Sequence, residues 1–284
     1  MAESASGLYS EKLRAMPRAM QLRHTNTLVT GASAGLGREI ARHIVREQAG
    51  SVIGVARRKE RLDELVAEFR SAPSSEVKAI AADLSTVEGV QRCFDEATTP
   101  RRIDGAILNA GITFFGKAVE QTPESIQSII ATNVTGLSLL ATRFAKYFVD
   151  NQIPGRIMLV SSMTGFSPMP YQAVYGATKA YVTSLGLALR EELRNTGVTV
   201  TVFCPGGITT EMSEYSGLGK TFGPDHASMM PAVICARHAV KAFIERGAIA
   251  VPGPSNWLTS VVQRAAPQSL VTRAIERIYR GALK

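Results

Sequence analysis

Cysteine is scarce in this chain. Cys93, Cys204 and Cys235 are the only three in 284 residues, too few and too scattered for a disulfide framework, so a reducing, cytoplasmic setting is expected. None of them shares metal-ligand spacing with His24, His43, His226 or His238, and no metal is expected. Long apolar runs are also missing. The uncharged stretches 125–142 and 157–178 are broken by Gln127, Thr132 and Asn133 in the first and by Pro168 and Pro170 in the second, which excludes a membrane span. Residues 1–24 carry Lys12, Arg14, Arg18 and Arg23 but no continuous apolar core, so no signal peptide is expected there. Acid is the rarer charge, with 24 Asp and Glu against 32 Lys and Arg. The net +8 favours anionic partners such as phosphorylated cofactors, nucleic acid or membrane surfaces. Charge alone does not choose among them; no nucleic-acid recognition motif accompanies it, and no nucleic-acid partner is expected.

What is present is an ordinary globular balance, 45% hydrophobic and 20% charged, enough to bury a sizeable core. Short β-rich runs at 27–30, 52–56, 77–81, 106–109, 156–161, 198–203 and 248–251 alternate with helical-period segments such as 37–48, 60–70 and 87–97. This rhythm predicts an α/β fold, a doubly wound parallel sheet of about seven strands with helices on both faces. Thr122 and Pro123 supply an N-cap and a first-turn proline for a long helix to about residue 149, and 171–194 reads as a second. The expected organisation is an N-terminal extension over 1–24, a single α/β domain over 25–252 and a C-terminal amphipathic extension over 253–284. An irregular substrate loop is expected at about 206–231, after the sixth strand, where ligands of such sheets bind.

The first strand runs into Thr30-Gly31-Ala32-Ser33-Ala34-Gly35-Leu36-Gly37, which opens a helix. Glycines there let the backbone turn tightly and approach a pyrophosphate, whose charge suits the exposed N–H groups of a helix start. An ordinary strand-to-helix turn needs only one glycine. After the second strand stands Ala56-Arg57-Arg58-Lys59, three cations where a cofactor lacking a 2′-phosphate would favour an acid. Planar guanidinium suits a 2′-phosphate, so NADP(H) is preferred over NAD(H), with a solvated basic turn as the alternative. Asp83, followed by Leu84, could hydrogen-bond an adenine amino group or cap the next helix.

Tyr175-Gly176-Ala177-Thr178-Lys179 sets a phenol and an ammonium on one helix face. A Lys charge about 4 Å away at an effective dielectric near 20 would favour the phenolate by about 4 kcal/mol, or about three pKa units before desolvation subtracts some. A phenol so tuned could exchange a proton with a substrate oxygen. By itself Tyr-x-x-x-Lys is frequent by chance.

Its context is not. Thr30-Gly31-x-x-x-Gly35-x-Gly37, Asn109-Ala110-Gly111, Asn133, Ser162, Tyr175 with Lys179, and Pro205-Gly206-Gly207-Ile208-Thr209-Thr210 follow in order. With these motifs the chain resembles the short-chain dehydrogenase/reductase family, in its compact branch, from residue 27 to about 251. The resemblance implies that Ser162 hydrogen-bonds the substrate oxygen, Tyr175 is the general acid/base, and Lys179 lowers its pKa and holds the nicotinamide ribose. It implies a water-mediated proton path from Asn133 through Lys179. Ser161 should point away from this group by strand alternation. The cofactor set is then Gly31, Ser33, Ala34, Gly35, Leu36 and Gly37 in the turn, Arg57, Arg58, Asp83 and Leu84 beyond it, and Asn109, Ala110, Gly111, Tyr175, Lys179, Pro205, Gly206, Ile208 and Thr210. Longer, extended-branch members carry a different glycine spacing and fit poorly. Val251-Pro252-Gly253, Ala266-Pro267 and the basic helix beyond look like a bacterial subgroup of loosely known substrate range.

The function so implied is an NADP(H)-dependent oxidoreductase interconverting a ketone or aldehyde and an alcohol. A non-catalytic nucleotide-binding regulator with the same fold is the alternative. Phe114, Phe115, Met163, Phe166, Met169, Met212, Tyr215, Phe222, Met229 and Met230 stand in segments expected to line the cleft, which suggests a lipophilic substrate, although any one of them could be core. The long helices resemble those through which family members pair, implying a homodimer or homotetramer. In the tail, Val271, Ala274, Ile275, Ile278 and Ala282 share one side and Arg273, Arg277, Arg280 and Lys284 the other. Packing of that apolar stripe on the body or a partner is the preferred reading; contact with an anionic membrane, helped by Trp257 and Leu258, is the rival.

Overall fold

The strands are short and rich in Val, Ile, Leu and Ala because both of their faces are covered. The structure, a computed structural model, describes residues 22–72, 75–99, 101–216 and 229–282. Seven parallel strands form the main sheet: β1 (Asn26–Thr30), β2 (Ser51–Ala56), β3 (Val77–Ala81), β4 (Gly105–Leu108), β5 (Arg156–Val160), β6 (Thr199–Phe203) and β9 (Ile249–Ala250). Their order is β3-β2-β1-β4-β5-β6-β9. Within β1, Leu28 faces a core completed by Phe144 and Phe148, and Val29 faces a second completed by Ile40, Ile44 and Phe243. The strand order reverses between β1 and β4, and a crevice opens there at the carboxyl ends.

The first core is covered by α3 (Val87–Thr98), α5 (Leu137–Asp150) and α6 (Ala173–Glu192), and the second by α1 (Gly35–Gln48), α2 (Lys59–Glu68) and α8 (Ala232–Glu245). The loop expected to be irregular over 206–231 has ordered ends. Gly207–Thr209 (β7) pairs in parallel with Met229–Pro231 (β8), and the short α7 (Glu211–Tyr215) starts from a reciprocal Thr210–Ser213 capping box. The middle of that loop, and the first 21 residues of the expected N-terminal extension, lie outside the described residues.

The long helix expected from Thr122 exists, but not as one regular rod. Thr122 Oγ1 accepts from Ser125 N at 3.2 Å and α4 (Pro123–Ile130) follows; then a π-turn, Ala131–Gly136, precedes α5. The widened turn brings Gly136 against the Leu84 carbonyl, where a Cβ would stand only 1.9 Å from the oxygen. The second long helix begins at Ala173 rather than 171, because Tyr171 adopts a left-handed conformation with φ of 64°.

Two further helices, α9 (Pro254–Ala265) and α10 (Gln268–Ala282), complete the described chain. The apolar stripe read for the tail is split. Val271 and Ile275 are half-buried, together with Thr272, Glu276 and Tyr279, whereas Ala274 and Ile278 are exposed beside Arg273 and Arg277. Tyr279 and Glu276 turn the helix. The Tyr279 ring meets Phe115 edge-on at 5.5 Å, and the Tyr171 hydroxyl donates to Glu276 Oε1 at 3.1 Å. Lys284 and the Ala282 side chain lie outside the described residues. Among those described, no helix is long and apolar enough to cross a membrane.

Helix α6 lies on the sheet at a glycine. A Cβ on Gly186 would meet Val202 Cγ2 at 2.4 Å and Leu159 Cδ1 at 3.1 Å. Gly186→Ala should therefore push α6 outward, an overpacking of about 1–3 kcal/mol that exceeds the roughly 1 kcal/mol gained in helix propensity. A lowered Tm in thermal unfolding is the expected result, and an unchanged or raised Tm would show that the contact is slack.

Candidate active site

Thr30, at the end of β1, ties the two sides of the crevice together. Its Oγ1 accepts from Asn109 N and Ala110 N, both at 2.9 Å, and its carbonyl accepts from Asn109 Nδ2 at 3.0 Å. Gly31 then turns with φ of 71°, and Gly35 opens α1 with φ of 52°. The N-cap is Ala34, which has no side-chain acceptor, and the first turn carries no acid. The leading N–H groups of α1 therefore face the crevice as an uncapped positive end, a ready anion site. Gly37 does not border the crevice. It lets the helix close on the turn, since a Cβ there would lie 2.4 Å from the Gly31 carbonyl.

Farther out, Arg57 is exposed and borders the same cleft. Arg58 donates to Glu211 Oε2 at 3.0 Å and to Ser33 Oγ at 3.3 Å, bridging from β2 to α7. Asp83 is not the cap of α3; Thr86 fills that role, accepting from Gly89 N at 3.0 Å. The Asp83 carboxylate instead accepts from Ser85 N and Oγ at 3.0 and 2.8 Å. Burial opposes its charge, but these bonds and nearby Arg57 hold its pKa below the ordinary value.

At the inner end stand Ser162, Tyr175 and Lys179. Ser162 is buried just past β5, its Oγ accepting from Thr164 N at 3.2 Å. Ser161 points the other way as expected, donating to the Lys179 carbonyl at 2.7 Å. Lys179 is buried and its Nζ donates to the Val160 carbonyl at 2.9 Å. Nζ lies 5.6 Å from the Tyr175 ring centre. Burial pushes the phenol up to about 12, with the Ser162 hydroxyl opposing, and brings Lys179 down to about 8. Desolvation of both groups thus outweighs the stabilisation expected from a surface-like pair. Asn133 is fully buried behind this group and does not border the cleft. Its Oδ1 accepts from Ile112 N at 2.9 Å, and its Nδ2 donates to Ile112 O at 2.9 Å and to Thr178 Oγ1 at 3.2 Å.

A family model described as short chain dehydrogenase matches residues 25–220. The chain belongs to the short-chain dehydrogenase family. Among its relatives, tetrahydroxynaphthalene reductase of Pyricularia oryzae is 30% identical over 69% of each chain. Serine 3-dehydrogenase of Rhizobium radiobacter is 33% identical over 71% of this chain and 77% of that one. A short-chain dehydrogenase from Sphingobium yanoikuyae, solved in complex with NADPH, superposes with a TM-score of 0.77 at 31% identity, covering 87% of this chain and 95% of that one.

In this dehydrogenase one cleft of about 840 Å³ runs from Arg57 to Lys179, bordered by every residue of the expected cofactor set except Gly37. Met163, Met169, Met212, Tyr215 and Met229 border it too. Phe114, Phe115, Phe166 and Met230 do not. Phe115 packs on Tyr171 and Tyr279, Phe166 lies under the Arg264 guanidinium at 5.2 Å, and Met230 packs on the second core. Phe222 lies outside the described residues. A roof that sequence reasoning missed comes from beyond the family match: Asn256, Thr259 and Gln263 of α9 with Ile275, Ile278 and Tyr279 of α10. Gln263 is buried and its Oε1 has no hydrogen-bond partner among the described residues, which is notable in the wall of a cleft.

Removing the Asn133 amide leaves two backbone groups of Ile112 unpaired beside Lys179. Asn133→Ala is expected to lower stability by about 1–3 kcal/mol per orphaned group and to reduce turnover. Unfolding in denaturant with parallel kinetics checks this, and wild-type values for both would remove Asn133 from the site's support.

Proposed function

We propose that this protein is an NADP(H)-dependent oxidoreductase that interconverts a lipophilic ketone or aldehyde and the corresponding alcohol. The observation that carries this reading is one continuous cleft with Ser162, Tyr175 and Lys179 at its inner end and an uncapped helix start and two arginines at its outer end. The residues fit a dinucleotide. Arg57 and Arg58 would hold a 2′-phosphate, with Asp83 and Leu84 beside the adenine. Residues 33–36 would offer backbone N–H groups to the pyrophosphate, with Gly31, Gly35 and Gly37 making the turn possible. Asn109, Ala110, Gly111, Tyr175 and Lys179 would hold the nicotinamide ribose, and Pro205, Gly206, Ile208 and Thr210 the ring. Arg58 would exchange Glu211 for the phosphate. The relative solved with NADPH supports this cofactor, as does a dehydrogenase from Beutenbergia cavernae with bound NADP, 25% identical with a TM-score of 0.74.

The bound nicotinamide would supply hydride to, or take it from, the substrate carbon. Ser162 Oγ would hold the substrate oxygen. The Tyr175 phenol, held neutral by burial, would give that oxygen a proton during reduction and recover it during oxidation. Lys179, anchored on Val160, would support the phenolate as it forms. Asn133 would act through position: a Cβ on Gly111 would meet both its Oδ1 at 3.2 Å and Lys179 Nζ at 3.5 Å, so the three pack as one unit, through which a water-mediated proton path could run. The methionines and the α10 side chains along the cleft favour a bulky apolar substrate. A naphthol reductase and a 7β-hydroxysteroid dehydrogenase among the relatives are consistent with that chemistry. Assembly as a homodimer or homotetramer through α4–α6 fits the exposed Ile130, Val149 and Tyr181.

Tyr175→Phe should keep NADPH affinity within a few fold and lower turnover by about 10²–10⁴. With the wild-type phenol at about 12, ketone reduction should hold level through neutral pH, whereas alcohol oxidation should climb with pH as phenolate becomes accessible. Near-normal turnover in the variant, or a reduction rate that rises with pH, would end the assignment. Arg57→Ala should weaken NADPH by about 1.5–3 kcal/mol and leave NADH nearly unchanged. Equal losses in titrations with both cofactors would make Arg57 structural.

A further inference from the structure

Helix α9 is amphipathic in the reverse sense. Polar side chains of one face turn inward: Ser260 and Gln263 are 0% and 7% exposed, and Asn256 and Gln263 border the cleft with Thr259 at its exposed rim. Its apolar side chains turn outward, with Trp257, Leu258 and Val262 exposed by 57%, 59% and 52%. At about 100° per residue these three, Val261 and Ala265 span an arc of roughly 140°. Such a stripe is not built to face water.

Helix α10 continues the pattern with charge. At the same pitch its exposed arc runs from Arg280 and Arg273 through Arg277 to Leu270, Ala274 and Ile278, cations at one margin and apolar side chains at the other. The segment 253–284 holds Arg264, Arg273, Arg277, Arg280 and Lys284 against one acid, Glu276. That acid is half-buried and engaged by Tyr171 and Arg280, so the outward face is of one sign. We propose that the outer face of the α9–α10 roof docks on an anionic lipid bilayer, lying in the plane of its interface.

Three observations choose this occupant. The surplus of arginine complements anionic headgroups, while a second copy related by a twofold axis would bring the same cations to the contact. An exposed Trp beside Leu and Val suits the headgroup boundary. The inner sides of the same two helices border the cleft at Gln263, Ile275 and Tyr279, and Ile278 stands at the rim between cleft and outer face, so a lipophilic compound dissolved in the bilayer would reach the site past Ile278 without crossing water. The helices are too short and polar to span, which restricts the contact to the surface.

Flotation of the full-length protein with NADPH decides the matter, using vesicles of phosphatidylcholine alone and of phosphatidylcholine with phosphatidylglycerol. The expected result is flotation with the anionic vesicles that falls at least about tenfold at high salt. Arg273→Ala with Arg277→Ala, both on the surface and outside the cleft, should weaken it about 25-fold, taking each cation as worth about fivefold. Trp257→Ser, Leu258→Ser and Val262→Ser together should abolish it. Retained NADPH binding in each variant shows that the fold is intact, and the readout is lipid binding, so its outcome is independent of the proposed reaction. No flotation of the wild type with either vesicle would overturn the proposal. So would a Trp257/Leu258/Val262 variant that still floats but changes oligomeric state by light scattering, which would make the stripe a subunit interface.

Discussion

The hydrogen bond from Lys179 Nζ to the Val160 carbonyl is the interaction on which the site depends. An ammonium removed from water needs a partner, and here the partner is the last carbonyl of β5. The same residue is held a second time through its backbone: Ser161 Oγ and Thr183 Oγ1 both donate to the Lys179 carbonyl, at 2.7 and 3.0 Å. Gly165 comes so near that a Cβ there would stand 2.7 Å from the Lys179 carbonyl carbon. Helix α6 is thereby fixed in height and rotation against the sheet. Ser162, next along the chain after Ser161, and Tyr175, one turn before Lys179, inherit that placement.

Burial has a chemical consequence that the spacing of Tyr175 and Lys179 would not suggest. On an exposed helix face, an ammonium one turn away would favour the phenolate. Inside the cleft each charge loses its water, so the ammonium falls to about 8 and the phenol rises to about 12. Both shifts disfavour charge, and the phenol stays a proton donor at neutral pH. With Lys179 Nζ 5.6 Å from the ring centre and both groups stripped of water, a small movement of the ammonium has a large electrostatic effect on the phenol.

Much of this was legible in the sequence because the rules involved are local. Strand alternation separated Ser161 from Ser162, and Thr122-Pro123 marked a helix start. The glycines of residues 31–37 announced a close backbone approach, although Gly37 serves the helix–turn contact rather than the cleft. The π-turn at Ala131–Gly136 left no trace, since one widened turn barely disturbs the apolar period on either side. Its cause is non-local: Gly136 meets the Leu84 carbonyl and Asn133 clamps Ile112. The rotation of α10 escaped for the same reason, being set by Phe115 and Tyr171, more than a hundred residues away in sequence. The Arg58–Glu211 bridge spans 153 residues, and only the folded chain brings it together.

The roof over the cleft reverses the usual placement of polar and apolar side chains in a surface helix. Asn256, Thr259, Ser260 and Gln263 share one helix face, and that face of α9 turns to the cleft and the body, with Thr259 at its exposed margin. A helix that must offer polar atoms to a cleft has only its other side left for Trp257, Leu258 and Val262, so its outward apolar stripe follows from its inward polar one. Gln263 Oε1 is buried without a partner among the described residues, and Tyr171 accepts a left-handed backbone, at about 1 kcal/mol or more, while its hydroxyl holds Glu276. Strain and unmet hydrogen bonds persist where the surroundings over-determine them, and these two lie in the roof and at its anchor on the body. The sheet and its glycine turn can be shared across a family because they serve a common dinucleotide fold. The roof lies beyond the residues that the family model matches, so its polar lining and its outward stripe are where this chain can differ in what it takes in and where it takes it from.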